Sequence, residues 1–177
     1  MYKDLYLANR NRRILYELIR KNPSIHLREL ERLSGLPLST VNYHVNYMKR
    51  KKIVVLEKDG RLSRFYAKPF DEEDKRLLKI LRQKRLREIV FLVLIRKRIN
   101  SKFLERKLSI PRSTLSLYLN YLLKHRVLNA EKIGYENVYS LQDEERIAKT
   151  LVTYRSSFLD SLVDKSLRTW LETRFSE

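Results

Sequence analysis

The sequence predicts a mainly α-helical protein with small β-hairpins, made of two similar modules in tandem and a C-terminal helical segment. Apolar residues recur at helical spacing along most of the chain. The chain also matches itself at an offset of 74 residues. A run of strand-forming residues lies on each side of an Asp-Gly pair, which is typical of a hairpin. With 177 residues, of which 43% are hydrophobic, the chain can form two small cores.

The internal match is the most specific signal in the sequence. Between positions 28 and 66 there are eleven identities with the second copy, without gaps. Upstream the offset is 76, so the loop after the first helix is two residues shorter in the second copy, as loops tolerate. Chance similarity of basic helices would not place turn residues in register, as here for Pro37 and Pro111, Gly60 and Gly134, and Ser39-Thr40 and Ser113-Thr114.

The first module begins with a helix over 9–21, which places Ile14, Leu15, Leu18 and Ile19 on one face. Asn22-Pro23-Ser24 ends it. A short second helix is expected over roughly 26–34, followed by a turn at Gly35.

A third helix is predicted over about 38–51. Pro37 suits its first turn, because the missing N–H costs nothing there. Ser39 and Thr40 are expected to bond the free backbone N–H groups of that turn. The buried side is formed by Val41, Val45 and Met48.

The strand-forming runs Ile53–Leu56 and Leu62–Ala67 then predict a hairpin with its turn near Asp59-Gly60. Helix, helix, turn, helix and hairpin is the order of a winged helix-turn-helix module, in which the hairpin is the wing. The second copy repeats this order, with helices over about 84–98, 101–108 and Pro111 to His125, and a wing over Val127 to Leu141.

Three stretches resemble archaeal winged helix-turn-helix transcription regulators of the ArsR-like type, several of which carry two such modules: 24–30 (SIHLREL), 35–41 (GLPLSTV) and 43–45 (YHV). The resemblance is good over about 12–68 and weaker, but in register, over 84–141. It implies sequence-dependent DNA binding through the third helix of a module. Metal-sensing members use Cys and His ligands, and this chain has no cysteine, so metal sensing is not carried over.

The charge distribution favours a polyanion as partner. The formal net charge is +18, and such an excess repels itself unless it is neutralised. Residues 1–70, 71–141 and 142–177 carry net charges of +10, +9 and −1. A membrane is disfavoured, because the longest apolar run, Ile89–Ile95, is far shorter than the ~20 residues of a span. The absence of cysteine and of a signal-peptide layout predicts a cytoplasmic, nucleoid-associated protein.

The exposed face of the third helix is the predicted DNA-binding surface, because this helix enters the major groove. Amides and hydroxyls can bond base edges, and cations can bond phosphates. An ordinary solvated face is the alternative. In the first module the candidates are Ser39, Thr40, Asn42, Tyr43, Asn46, Tyr47 and Arg50, with Lys58, Arg61 and Arg64 on the wing.

The second module is less well equipped to read DNA. Leu117 and Leu123 replace Tyr43 and Lys49, and the wing tip over 133–136 lacks an arginine. We therefore expect module one to read sequence and module two to add phosphate contacts or to help in dimerisation. Its candidate DNA-binding residues are Arg112, Ser113, Thr114, Ser116, Asn120 and Lys124.

The connector is predicted to start with Asp71 as a helix cap, and its helix is expected to continue from 72 directly into the first helix of module two. Such a helix would be a stiff linker, with a row of basic residues that includes Arg87. The three histidines, His26, His44 and His125, have no metal-ligand spacing. For His44, packing or a local hydrogen bond is favoured over a DNA contact.

Residues 142–177 are predicted to be helical. Their apolar stripe suggests a homodimer interface, and packing back on module two is the alternative. The stripe consists of Leu151, Phe158, Leu159, Leu162, Val163, Leu167, Trp170 and Leu171.

The leading functional prediction is a sequence-specific regulator that binds double-stranded DNA. The alternative is a non-specific architectural DNA-binding protein, which needs only charge. No Ser-His-Asp pattern, phosphate-binding loop, dinucleotide fingerprint or zinc motif appears in the sequence, so we expect neither an enzyme nor a cofactor.

Overall fold

The computed structural model describes residues 8–154, which divide into two compact units: unit 1, up to Lys75, and unit 2, from Arg76 onward. The sequence had placed this boundary at 70/71. In order, the elements are α1 (Arg10–Lys21), β1 (Ile25–His26), α2 (Leu27–Ser34), α3 (Leu38–Arg50), β2 (Val55–Asp59), β3 (Leu62–Tyr66), α4 (Glu72–Arg82), α5 (Lys84–Arg96), β4 (Ile99–Asn100), α6 (Ser101–Leu108), α7 (Arg112–Lys124), β5 (Leu128–Ile133), β6 (Glu136–Leu141) and α8 (Glu144–Thr153).

The sheet of unit 1 has three antiparallel strands in the order β1-β3-β2. Asp59 pairs with Leu62, so the hairpin closes through only Gly60 and Arg61. Gly60 has φ +58°, the left-handed value that a two-residue hairpin turn needs at its first central position. The predicted hairpin is present, but the sequence did not indicate β1, since two residues are too few to show an alternating pattern.

The core of unit 1 lies between the three helices and the sheet. Leu15 and Ile19 of α1 pack with Val41, Val45 and Met48 of α3, as the periodicity predicted. At about 25 cal/mol per Å² of buried apolar surface, these contacts are the main stabilising term. The rest of the buried cluster consists of Ile25, Leu30, Ile53, Val54, Phe65 and Ala67.

The start of α3 differs from the prediction. Pro37 is the N-cap itself, with φ −56° and ψ 144°, and no side chain caps the helix. Ser39 and Thr40 do not make the predicted bonds, because they lie inside the first turn rather than at the cap position. By contrast, His26 caps α2 by accepting a hydrogen bond from the Glu29 backbone N–H at 3.4 Å.

Unit 2 has the same element order from α5 to β6, and its sheet has the corresponding order β4-β6-β5. Ile133 pairs with Glu136 across a turn whose first residue, Gly134, has φ +60°. The core of this unit also includes residues of the two flanking helices α4 and α8, namely Leu77, Ile80, Leu81, Ile147, Ala148 and Leu151.

Only the beginning of the predicted C-terminal stripe lies within the described residues. Leu151 on α8 is fully buried in the core of unit 2. For this residue the structure therefore agrees with the alternative that the stripe packs back on module two. The stripe from Phe158 to Leu171 lies outside the described residues.

The predicted continuous helix from 72 into the first helix of the second module was wrong. Asp71 caps α4, since its Oδ1 accepts a hydrogen bond from the Asp74 backbone N–H at 2.6 Å. However, α4 ends at Arg82, and Gln83 is extended (φ −83°, ψ 114°) before α5 begins. Arg87 holds this break, because its Nη1 donates a 2.7 Å hydrogen bond to the Leu81 carbonyl in the last turn of α4.

Arg87 is therefore not the exposed cation that the sequence suggested, since its side chain is buried. We expect Arg87→Met to lower the free energy of unfolding by about 1–3 kcal/mol, because it leaves the Leu81 carbonyl without this donor. Arg20→Met is the control, since Arg20 pairs with Glu17 on the surface of α1, with both side chains more than a third exposed, and such a pair contributes at most about 1 kcal/mol. Equal urea midpoints for the two variants would contradict the assigned role of Arg87.

The ends of α2 and α6 offer a second matched test. Gly35 ends α2 with φ +68°, while Ser109 ends α6 with φ +51° and ψ +47°. Left-handed backbone strains every residue with a Cβ. Ser109→Gly should therefore raise the free energy of unfolding by about 0.5–1 kcal/mol, and Gly35→Ala should lower it by about 1 kcal/mol. Urea denaturation measures both changes, and a destabilised Ser109→Gly variant would count against the αL cap.

Candidate nucleic-acid interface

Helix α3 presents one polar face to solvent because its other face is fixed in the core. Val41, Val45, Met48 and also His44 are buried. Of the predicted site residues on this helix, Ser39, Asn42, Tyr43, Asn46 and Arg50 are exposed, while Thr40 and Tyr47 are partly buried. We call these seven residues the α3 face.

Two amides lie next to each other in the middle of the α3 face. Asn46 Nδ2 donates a 3.0 Å hydrogen bond to Asn42 Oδ1 across one turn of helix. Asn46 is exposed, and its second N–H and its Oδ1 make no hydrogen bond within the described residues. This donor and acceptor are what a bidentate contact to adenine requires. Beside them, the Tyr43 side chain is 62% exposed and its ring packs edge-on against His44 at 5.1 Å.

Arg12 joins the α3 face from α1, and sequence reasoning missed it. Its guanidinium carbon lies 4.3 Å from the centre of the Tyr47 ring, a cation–π contact that holds this tyrosine in place. No local pattern links the two residues, because they are 35 positions apart and meet only through the packing of α1 on α3.

His44 is buried in the packing of α3, in line with the favoured prediction of packing or a local hydrogen bond. Its Nδ1 is buried and makes no hydrogen bond among the described residues. Burial lowers the pKa of His44 from its usual 6.5, and the nearby charge of Arg12 lowers it further. The imidazole is therefore neutral at pH 7.

The wing of unit 1 exposes two of its three predicted cations. Lys58 lies on β2 and Arg61 lies in the turn, and both are exposed. Arg64 differs, because only 12% of its side chain is exposed. Its Nε donates to Asp59 Oδ2 at 3.0 Å and its Nη1 to the Ser24 carbonyl at 3.2 Å, so it joins β3 to the end of β2 and to the residue that precedes β1.

The corresponding helix of unit 2, α7, has a different exposed face. Leu117 is 70% exposed, where unit 1 has Tyr43, and Leu123 packs against the core, where unit 1 exposes Lys49. The ring centres of Tyr121 and His125 lie 4.3 Å apart, with the two rings tilted by 57°. Five predicted candidates are exposed and Thr114 is partly buried; the five are Arg112, Ser113, Ser116, Asn120 and Lys124.

The wing of unit 2 carries two acids that pair with cations outside it. Glu131 on β5 pairs with Arg98, which precedes β4, and Glu136 on β6 pairs with Lys102 Nζ of α6 at 2.6 Å. Hydrogen bonds from Lys102 and Asn100 lower the pKa of the Glu136 carboxyl. The Glu136 carboxyl is therefore charged at neutral pH. With two acids on its strands, this wing attracts a polyanion less than the wing of unit 1.

Within residues 8–154, no three His, Cys, Asp or Glu side chains come close enough together to hold a metal ion. No helix in the same range has the length and apolar character needed to cross a membrane.

Comparison with known proteins identifies the first unit. Residues 8–55 match the family of winged helix-turn-helix DNA-binding domains. The chain is also 24% identical over 141 residues to an uncharacterized HTH-type transcriptional regulator of Methanocaldococcus jannaschii. That alignment covers 80% of this chain but only 36% of the relative, so the chain spans about a third of the relative's length.

A solved structure, HlyU from Vibrio cholerae, is similar at a TM-score of 0.44 and 22% identity, over 49% of this chain and 97% of that one. Similarity at this level says nothing about function. The family match shows that the chain carries a winged helix-turn-helix DNA-binding domain, and α3 is the third helix of that domain.

The pKa of His44 provides a test of the α3 surroundings. NMR titration should place it below 6.5, and Arg12→Gln should raise it part of the way back, because burial, the larger cause, remains. As the pH falls, the imidazole of the unfolded chain is protonated before that of the folded chain, because its pKa is higher. The stabilising contribution of neutral His44 is therefore present above pH 6.5 and is lost as the pH falls below that value. Arg13→Gln, an exposed neighbour, is the control. A His44 pKa at or above 6.5 would refute the assignment.

Proposed function

We propose that the protein is a sequence-specific transcription regulator that binds double-stranded DNA and reads the major groove with α3. The observation that carries the proposal is the α3 face of a winged helix-turn-helix DNA-binding domain, where outward amides and hydroxyls are flanked by cations. Base edges are read by such amides, and phosphates are held by Arg50 together with Lys58 and Arg61 on the wing. Arg64, held by Asp59 and Ser24, contributes to the wing's shape more than to binding.

We further propose that unit 2 is a second winged helix-turn-helix module, so that the chain is a tandem regulator of the ArsR-like type. Its support is the identical element and strand order, the glycine at the same hairpin position and the sequence match at an offset of 74. The similarity to the archaeal regulator spans 141 residues, more than either unit contains, and so extends across both.

The two modules have unequal roles in this proposal. Unit 1 reads sequence, while unit 2 adds phosphate contacts through residues such as Arg112 and Lys124, or helps in dimerisation. This division is favoured by the exposed Leu117 and by the two acids of the second wing, which pair with Arg98 and Lys102. The protein acts in the cytoplasm, associated with the nucleoid, without a cofactor and without catalysis.

The proposed assembly is a homodimer formed through the C-terminal segment that follows α8. Leu151 is occupied by the core of unit 2, so the interface would use the remainder of the apolar stripe. A symmetric dimer would favour a palindromic site. Light scattering at micromolar concentration that gives the mass of one chain would eliminate the dimer.

A second candidate, a non-specific architectural DNA-binding protein, is favoured by the net charge of +18. Selection of genomic DNA fragments at about 0.15 M salt, against competitor DNA, separates the two functions. One enriched motif, bound about 10³-fold or more tightly than bulk DNA, supports the regulator. Uniform recovery that disappears at higher salt supports the architectural protein, because phosphate charge then dominates.

On the selected motif, Asn42→Ala and Asn46→Ala should each cost about 1–3 kcal/mol of binding free energy and leave bulk-DNA affinity unchanged, because base contacts are lost and phosphate contacts are kept. Fluorescence anisotropy measures both affinities. Gln142→Ala, at an exposed residue beyond the second wing, is the control. Asn120→Ala should cost less than Asn46→Ala, and an equal loss would contradict the unequal roles of the units.

A further inference from the structure

Unit 2 contains an arginine-rich cleft that the proposed reading of DNA does not use. Its volume is about 230 Å³, smaller than the roughly 300 Å³ at which pockets for drug-sized ligands begin. It is formed by the end of α5, strand β4 and helix α6. The residues that line it are Arg96, Arg98, Ile99, Asn100, Phe103 and Arg106.

Three of the residues that line the cleft are arginines, and none of the lining residues is Asp or Glu. The guanidinium carbon of Arg96 lies 4.5 Å from the centre of the Phe103 ring, so a cation–π contact holds it at the cleft wall. Arg98 is paired with Glu131, but both side chains are more than half exposed, and such a pair exchanges partners at little cost. Arg106 is exposed on the next turn of α6 after Phe103.

Asn100 fixes the floor of the cleft rather than binding a ligand. Its Oδ1 accepts a 2.9 Å hydrogen bond from the Phe103 backbone N–H, and its Nδ2 donates to Glu136 Oε2 at 2.6 Å. Both functional groups of the amide have partners, and they hold the start of α6 against the second wing. The backbone between β4 and α6, which lines the cleft, is thus held in place by these two hydrogen bonds.

Unit 1 lacks this cleft chemistry at the corresponding place between β1 and α2. Two of the arginines have counterparts in unit 1, Arg20 for Arg96 and Arg32 for Arg106, and Arg20 is paired with Glu17. The third arginine and the ring do not, because Ser24 and Glu29 stand where unit 2 has Arg98 and Phe103. The complete set of three arginines around an aromatic ring is therefore found in unit 2 and not at the corresponding place in unit 1.

We propose that this cleft binds a phosphate group. Planar guanidinium groups match the several acceptor oxygens of a phosphate. Three guanidinium charges also exceed the single negative charge of a carboxylate, which favours a phosphate over a carboxylate as the ligand. The phosphate belongs either to the DNA backbone, which deepens the proposed function and rests on it, or to a free phosphate compound. The chemistry is the same for both sources, and the experiment separates them.

The test compares Arg96→Gln/Arg106→Gln with Lys107→Gln/Lys149→Gln, which removes the same charge from exposed positions of unit 2 outside the cleft. In the first arm, the full chain is titrated with inorganic phosphate at constant ionic strength, and backbone amide shifts are followed by NMR. We expect saturable shifts over 96–106 in the wild type and in the lysine control. In the arginine variant the affinity should fall at least tenfold.

In the second arm, affinity for duplex DNA is measured against salt concentration. If the cleft holds a backbone phosphate, the slope of log affinity against log salt should fall in magnitude by about 1 in the arginine variant relative to the control. A loss of phosphate binding with an unchanged slope assigns the site to a free phosphate compound. A reduced slope without phosphate binding assigns it to DNA.

The proposal is overturned if the arginine variant and the lysine control behave alike in both arms. Arg96→Lys/Arg106→Lys keeps the charge without the planar forks, and its phosphate affinity should fall between the wild type and the glutamine variant. If the wild type binds no DNA at all, the proposed function fails, and the phosphate titration still decides the cleft.

Discussion

The burial of Val41, Val45 and Met48 against α1 is the constraint on which the first unit depends. These three side chains set the rotation of α3 about its own axis, and every residue offered to solvent on that helix follows from it. A rotation by one position would instead bury Asn42, Asn46 and Lys49, and burying such polar groups without full hydrogen bonding costs several kcal/mol. The Asn42–Asn46 pair is therefore held outward by hydrophobic packing on the opposite side.

Much of the fold could be predicted from the sequence, because it is written in short-range patterns. The period of Leu15 and Ile19, the turn at Gly60 and the cap at Asp71 each depend on a few neighbouring residues. The two-residue strands β1 and β4 could not be predicted in this way, since their pairing is with strands about 40 positions later.

The residues that were misjudged depend on contacts in the folded units that the helix and strand periodicities do not show. Arg64 looked like a free wing cation, and its carbonyl partner at Ser24 is 40 positions away. Arg87 looked like a member of a charged helix surface, yet it is buried and ends the preceding helix. Arg12 was overlooked because Tyr47 meets it only in the folded unit. The candidate face of α3 was easier to predict, since a single helix defines it.

In the proposed function, the exposed Leu117, which stands where unit 1 presents Tyr43, would limit how much DNA sequence α7 can read. An aliphatic side chain in the major groove distinguishes little beyond a thymine methyl group. A chain that reads DNA mainly with one helix would contact few base pairs, and so short a binding site occurs many times by chance in a genome. Binding at a single genomic site would then require two copies of the chain at a fixed spacing. A single copy would be suited to the regulation of many genes with degenerate sites.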